Sequence, residues 1–100
     1  MRYLLVTYVK KANGQIDEQV GASRNLKERD LRTCNVILDF KEQKVERAYI
    51  NGKQIDTDWD RMQHYYNQVY PALIGDLRRD NGLPELSSEE PQTDTTSEPQ

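Results

Sequence analysis

The sequence predicts an α+β domain: two consecutive antiparallel hairpins make a sheet of about four strands, a kinked C-terminal helix covers one face, and a disordered acidic tail follows. Three observations lead there. Short β-branched and aromatic runs are separated by Asn-Gly or charged turns. One longer stretch, 57–80, repeats apolar residues every three or four positions. After Gly82 the composition changes abruptly to Pro, Ser, Thr and Glu.

Tyr3 to Val9 is too short for a helix, rich in β-branched and aromatic residues, and stops at Lys10 and Lys11. It is apolar on both faces, with Leu5 and Val9 on one and Leu4, Val6 and Tyr8 on the other, which marks an interior strand. Asn13-Gly14 suits a two-residue turn, so Ala12 is expected opposite Gln15 and Val9 opposite Glu18. The returning strand carries Ile16, Glu18, Val20 and Ala22 on one side. Residues 25–32 suit either a one- or two-turn helix capped by Asn25 or an exposed charged connection, and read as a loop containing a helical turn. Cys34, Val36, Leu38 and Phe40 alternate with polar and apolar neighbours, and a turn at 41–44 leads into 45–50. That hairpin is expected to pair Phe40 with Val45 and Val36 with Tyr49. Asn51-Gly52 reverses the chain again into Lys53-Gln54-Ile55, a stub of edge strand.

Asp56, Thr57 and Asp58 offer capping oxygens at the start of the helix, and Asn81-Gly82 supplies its stop. Between them Trp59, Met62, Tyr66, Val69, Leu73 and Leu77 form one face. Pro71 removes a hydrogen bond and clashes with the preceding turn, so a kink or two abutting helices are expected, and the apolar period that continues across it favours the kink. The domain is thus 1–83, and 84–100 is expected to be disordered.

Charge follows the same division. Residues 1–84 hold all 14 Lys and Arg against 12 acids, whereas 85–100 hold five acids and no base. The acidity therefore belongs to the tail, where it would dock on a basic partner or screen the protein's own basic surface. No run of about 18 apolar residues exists and no signal-type cleavage site follows the first strand, so neither membrane insertion nor export is expected. A single cysteine excludes an internal disulfide and any multi-cysteine metal site, and suits a reducing cytoplasm.

Catalytic chemistry has little material here. Asp56, Asp58 and Asp60 resemble the opening of a calcium loop, but Arg61 stands where such a loop needs glycine and Asn67 where it needs glutamate. Helix capping accounts for the same acids. Asp60 and His64 are four apart on the helix, one ingredient of general-base chemistry, without a nucleophile elbow, a second histidine or a phosphate loop. Cys34 reads as a small core residue. No enzyme activity, cofactor or metal is expected.

Binding surfaces are better represented. On a continuous helix the apolar residues spread from Tyr65 to Ile74 over roughly 180°, whereas one sheet face needs only about 100°. The excess points to Tyr65, Tyr70 and Ile74 as a surface for a protein partner or a second copy. The alternative is RNA or single-stranded nucleic acid, read from Arg24, Lys27, Arg29 and Arg32 and from the strand tyrosines Tyr3, Tyr8 and Tyr49. Glu28 and Asp30 interrupt that basic cluster.

Three segments, MRYLLVTYVKK, VILDFKEQKVERAYINGKQID and DRMQHYYNQVYPALI, resemble small uncharacterised accessory proteins of tailed bacteriophages over residues 1 to about 80. The resemblance implies a non-enzymatic role in the host cytoplasm, binding and redirecting a host or phage protein. It assigns no site residue.

Overall fold

A computed structural model describes residues 1–86 of the chain. The architecture is α+β. Eight elements follow in order: β1 (Tyr3–Lys10), β2 (Ile16–Ser23), α1 (Glu28–Thr33), β3 (Val36–Asp39), β4 (Lys44–Ile50), β5 (Lys53–Gln54), α2 (Trp59–Val69) and α3 (Pro71–Asp80). The strands form one antiparallel sheet in the order β2-β1-β3-β4-β5, so β1 is interior and the stub β5 adds a fifth strand at one edge. Among the described residues no helix is long and apolar enough to cross a membrane.

The first hairpin pairs one residue away from the expected register. Val9 faces Asp17, Lys10 faces Ile16, and Tyr8, not Val9, faces Glu18. Gly14 alone in the turn has positive φ (89°), so Asn13 does not adopt the conformation a two-residue turn requires. Instead the Asn13 side-chain oxygen accepts from the Gln15 N–H, and Lys11 N–H donates to Gln15 O across a three-residue loop. Because side chains alternate, that single shift decides which residues share a face. It sets Leu4, Val6 and Tyr8 beside Ala22, Val20 and Glu18.

The second hairpin also departs from expectation. Leu38 faces Val45 and Val36 faces Ala48, because Phe40 lies in the turn and the ladder shifts between Ile37 and Leu38, leaving Glu46 as the extra residue. The buried Asp39 carboxylate organises this corner. Its Oδ1 accepts from the Lys41 and Glu42 N–H groups, and both oxygens accept from the Arg2 guanidinium at 2.9 and 2.8 Å. The last turn behaves as read: Asn51 and Gly52 both have positive φ, and Ile50 faces Lys53.

The expected helix 57–80 is two helices and not one kinked helix. Tyr70 leaves the helical region (φ −129°, ψ 63°), as a residue before proline is driven to do, and Pro71 opens α3 at a position where no N–H is needed. A continuous helix would hold Gln63 and Arg78 roughly 22 Å apart. In the fold Arg78 Nη1 donates to Gln63 Oε1, so α3 folds back alongside α2. Leu4, Val6, Val36, Leu38, Phe40, Met62, Tyr66, Ile74 and Leu77 make the core between sheet and helices. On the opposite sheet face Tyr3, Cys34 and Ile37 form a smaller cluster with Leu5 and Leu26.

The charged segment contains a full short helix, α1, where a loop with one turn was expected. Asp30 Oδ2 accepts from the Lys27 N–H, half of a capping box. At the other end of the domain, Pro84 O accepts from Arg78 Nε, and Leu83 and Leu86 pack against the core, so residues 84–86 of the expected tail lie on the domain. The remainder of the expected disordered tail, 87–100, lies outside the described residues.

Candidate protein-binding surface

Tyrosines gather where α2 gives way to α3. The Tyr8 and Tyr66 hydroxyls are 3.1 Å apart, and the Tyr70 hydroxyl donates to Glu18 Oε1, linking the helical layer to β2. Tyr65 meets Tyr66 edge-on at 4.8 Å between ring centres, and Tyr66 stacks with Tyr70 at 6.5 Å. Burial pushes the Tyr8 phenol up to about 12; the bond with the Tyr66 hydroxyl offsets part of this and the nearby Glu18 carboxylate adds to it. At Tyr70 the bond to Glu18 comes first and burial second, again to about 12. Burial, followed by the Tyr8 hydroxyl, raises Tyr66 further. The cluster is neutral and hydrogen-bonded, a polar-tipped apolar surface.

Beside it the sheet runs on past the helices. Tyr8, Lys10, Ile16, Asn35, Ile50, Asn51 and Gly52 line an open groove of about 490 Å³. Tyr8 belongs to both groove and tyrosine cluster, so the two adjoin. Ile16 is 58% exposed and Ile50 36%; on α2, Tyr65 is 48% and Val69 46% exposed. Asn35 holds the groove floor in shape: its Oδ1 accepts from the Tyr8 N–H and its Nδ2 donates to Tyr49 O, joining β1 to β4 where β3 has not yet begun.

Of the three residues expected to meet a partner, Tyr65 is exposed, Tyr70 is half-buried with its hydroxyl occupied, and Ile74 is fully buried in the core. Ile74 is therefore not a surface residue. A single 100° wheel through 57–80 assigned it to the flank, and the break at Tyr70 resets the phase of α3. The same fold-back covers the side of α2 that reads as polar, burying Gln63 and Asn67. Sequence reasoning missed Val69, Ile16 and Ile50 as surface apolar groups, although the two Asn-Gly turns placing Ile16 and Ile50 at one end were visible.

Arg24, Lys27, Arg29 and Arg32 are all exposed on or beside α1. Only Arg32 of these has an ion pair among the described residues, a 4.0 Å contact with Glu28. The tyrosines proposed beside them are less accessible. Tyr3 is buried, Tyr8 is tied to Tyr66, and the Arg47 guanidinium already covers the Tyr49 ring at 4.3 Å.

Other sequence-derived sites resolve locally. Asp58 caps α2 by accepting from the Arg61 N–H, as helix capping requires. His64 Nδ1 lies 2.8 Å from Asp60 O and 3.5 Å from Asp60 Oδ1, a pair on the outer side of α2. Cys34 is buried with Tyr3 and Ile37, on the opposite face from Val36 and Leu38, because it ends α1 before β3 begins. Among the described residues no three His, Cys, Asp or Glu side chains are grouped to hold a metal ion. No family model matches the chain, and neither curated proteins nor solved structures contain a significant match.

Proposed function

We propose that the chain is a small non-catalytic accessory module of the cytoplasm that binds a protein through the end of the domain formed by Tyr65, Val69, Ile16 and Ile50. Ile16 and Ile50 line one groove, and its Tyr8 joins it through Tyr66 to exposed Tyr65 with Val69 one turn on; that continuity carries this reading, since exposed apolar groups rimmed by polar ones mark interaction sites. Tyrosine hydroxyls and Lys10 at the margin supply the polar rim. The resemblance to phage accessory proteins supports a host or phage protein as the partner, in host cytoplasm.

A photo-crosslinking amino acid in place of Tyr65, in the full chain inside bacterial cells, tests this. One dominant crosslinked protein is expected, lost when Val69→Asp or Ile50→Asp is added. Crosslinking that is absent, or unchanged by both substitutions, contradicts the reading.

One observation favours nucleic acid as a second reading: Arg24, Lys27 and Arg29 stand exposed in one segment, with no ion pair among the described residues. It requires affinity for a mixed oligonucleotide pool that falls with salt and with Arg29→Glu and Arg32→Glu. No shift of the pool at low salt removes it.

A further inference from the structure

The β2 edge differs from what a monomer needs. Lys11 N–H bonds to the facing Gln15 O, and Phe40 N–H bonds to Arg2 O, so β1 uses its odd residues toward β2 and its even residues toward β3. On β2 the odd residues therefore bond to β1, and the N–H and C=O groups of Ile16, Glu18, Val20 and Ala22 point outward along an eight-residue edge. Edges are normally blunted by lysine, proline or a bulge. The sequence IDEQVGAS has neither lysine nor proline, its two charges Asp17 and Glu18 lie near one end with Glu18 held by the Tyr70 hydroxyl, and its ladder with β1 is unbroken over all eight pairs.

Gly21 adds an independent observation. A glycine inside a strand weakens it and often marks close approach of another backbone. Here nothing within the chain asks for it: its φ is not positive, and an added Cβ would meet nothing within 4 Å.

We propose that β2 pairs antiparallel with β2 of a second copy, the two-fold axis passing through Val20. The chemistry of the strand selects both the occupant and the register. Two copies joined by a two-fold axis oppose residues whose numbers have a constant sum. Outward-pointing groups pair only with each other, which restricts the sum to even values. A sum of 36 sets Glu18 against Glu18, and 34 sets Asp17 against Asp17; 38 leaves Arg24 too far along the strand to reach Glu18 of the other copy, and 42 confines the ladder within β2 to residues 19–23. With the axis at Val20, Glu18 faces Ala22, Asp17 faces Ser23 and Gln19 faces Gly21, while Arg24, just past the strand, falls diagonally beside Glu18 of the other copy. Every carboxylate then meets a neutral residue or a cation, and the glycine lies where the two backbones run together. This pairing is independent of the Tyr65 and Val69 surface.

Light scattering coupled to size exclusion of the full chain over a concentration series tests the proposal. The wild type is expected at twice the chain mass. Val20→Pro removes the outward N–H at the axis and no β1–β2 bond, and is expected to be a folded monomer by circular dichroism. Gln19→Lys with Gly21→Lys opposes lysines twice and is expected to weaken self-association roughly two- to thirtyfold, from about 0.2–1 kcal/mol per like-charged pair. The corresponding double glutamate variant behaves likewise, and mixing the two restores a dimer. A wild-type monomer at all concentrations overturns the proposal, as does a dimer untouched by both the lysine pair and Val20→Pro. A dimer abolished by Val69→Asp instead would place the second copy at the tyrosine surface and also overturn it.

Discussion

The two edges of the sheet are built to different rules. At the β4/β5 edge, Lys44 and Lys53 stand on the strands, Glu46 bulges out of the ladder, and β5 stops after two residues. Each device discourages another strand from adding. The β2 edge is long, regular and free of all of them. Within one sheet of one small chain, lysine, bulge and shortness stand together on one side only, and the proposed pairing along β2 rests on that asymmetry.

The largest expected effect breaks that asymmetry. Lys44→Thr and Lys53→Thr combined with deletion of Glu46 should make the second edge adhesive, and light scattering should then show masses above the dimer, since two open edges per chain permit a continuing sheet. Unchanged mass would show that these residues do not guard the edge. Next is Asp39→Ala, which removes the anchor of the turn feeding the guarded edge. A loss of roughly 2–4 kcal/mol is expected in urea unfolding, because the variant strands two N–H groups and the Arg2 partner. Burial alone pushes the Asp39 carboxyl upward, but the Arg2 guanidinium and the Glu42 and Lys41 N–H groups together outweigh it and hold it below the ordinary value. A lowered carboxyl contributes stability above the unfolded value and loses it as pH falls through the folded one, so Asp39→Asn should flatten the acid limb of the stability profile.

Asn35→Ala sharpens the comparison by uncoupling the halves that carry the two edges. It leaves the Tyr8 N–H and Tyr49 C=O without their side-chain partner, for a loss of about 1–3 kcal/mol measured the same way. The Tyr70 bond to Glu18 ties the helices to β2, and both Tyr8 and Tyr70 are raised to about 12 from an ordinary value near 10. The raised phenols contribute stability that is complete below pH about 10 and lost as pH rises toward about 12. Ultraviolet titration of phenolate should resolve this late step, and Glu18→Gln should bring Tyr70 down. The smallest effect is Gly21→Ala, expected to change the stability of the single chain, read by urea unfolding at low concentration, by under about 1 kcal/mol and in the stabilising direction, since within one chain the φ and the space both allow a side chain.

Much of this fold was legible in local chemistry. The interior position of β1 followed from apolar residues on both its faces, Asn51-Gly52 formed the expected tight turn, and the strands, the helical C-terminal region and the α+β class followed from periodicity. What failed depended on competition between local options. Asn13 satisfied a backbone N–H with its side chain in place of turning with positive φ, and Asp39 did the same one turn later, so both hairpin registers moved. Pro71 was seen, but whether a proline bends a helix or ends it depends on what the second half packs against. Here Arg78 found Gln63 and Ile74 found the core. That misreading carried directly into the site, adding Ile74 and omitting Val69. The bare edge was hidden for another reason: which strand lies outermost is a property of sheet order, and IDEQVGAS shows its lack of protection only once β2 is known to be last.

The central claim is pairing along β2, and amide hydrogen exchange on the full chain tests it most directly. If two copies join there, the N–H groups of Ile16, Glu18, Val20 and Ala22 should be protected at high concentration and lose that protection on dilution, while those of Asp17, Gln19 and Gly21 stay protected by β1 throughout. Outward amides that exchange as fast as loop amides at every concentration would contradict it.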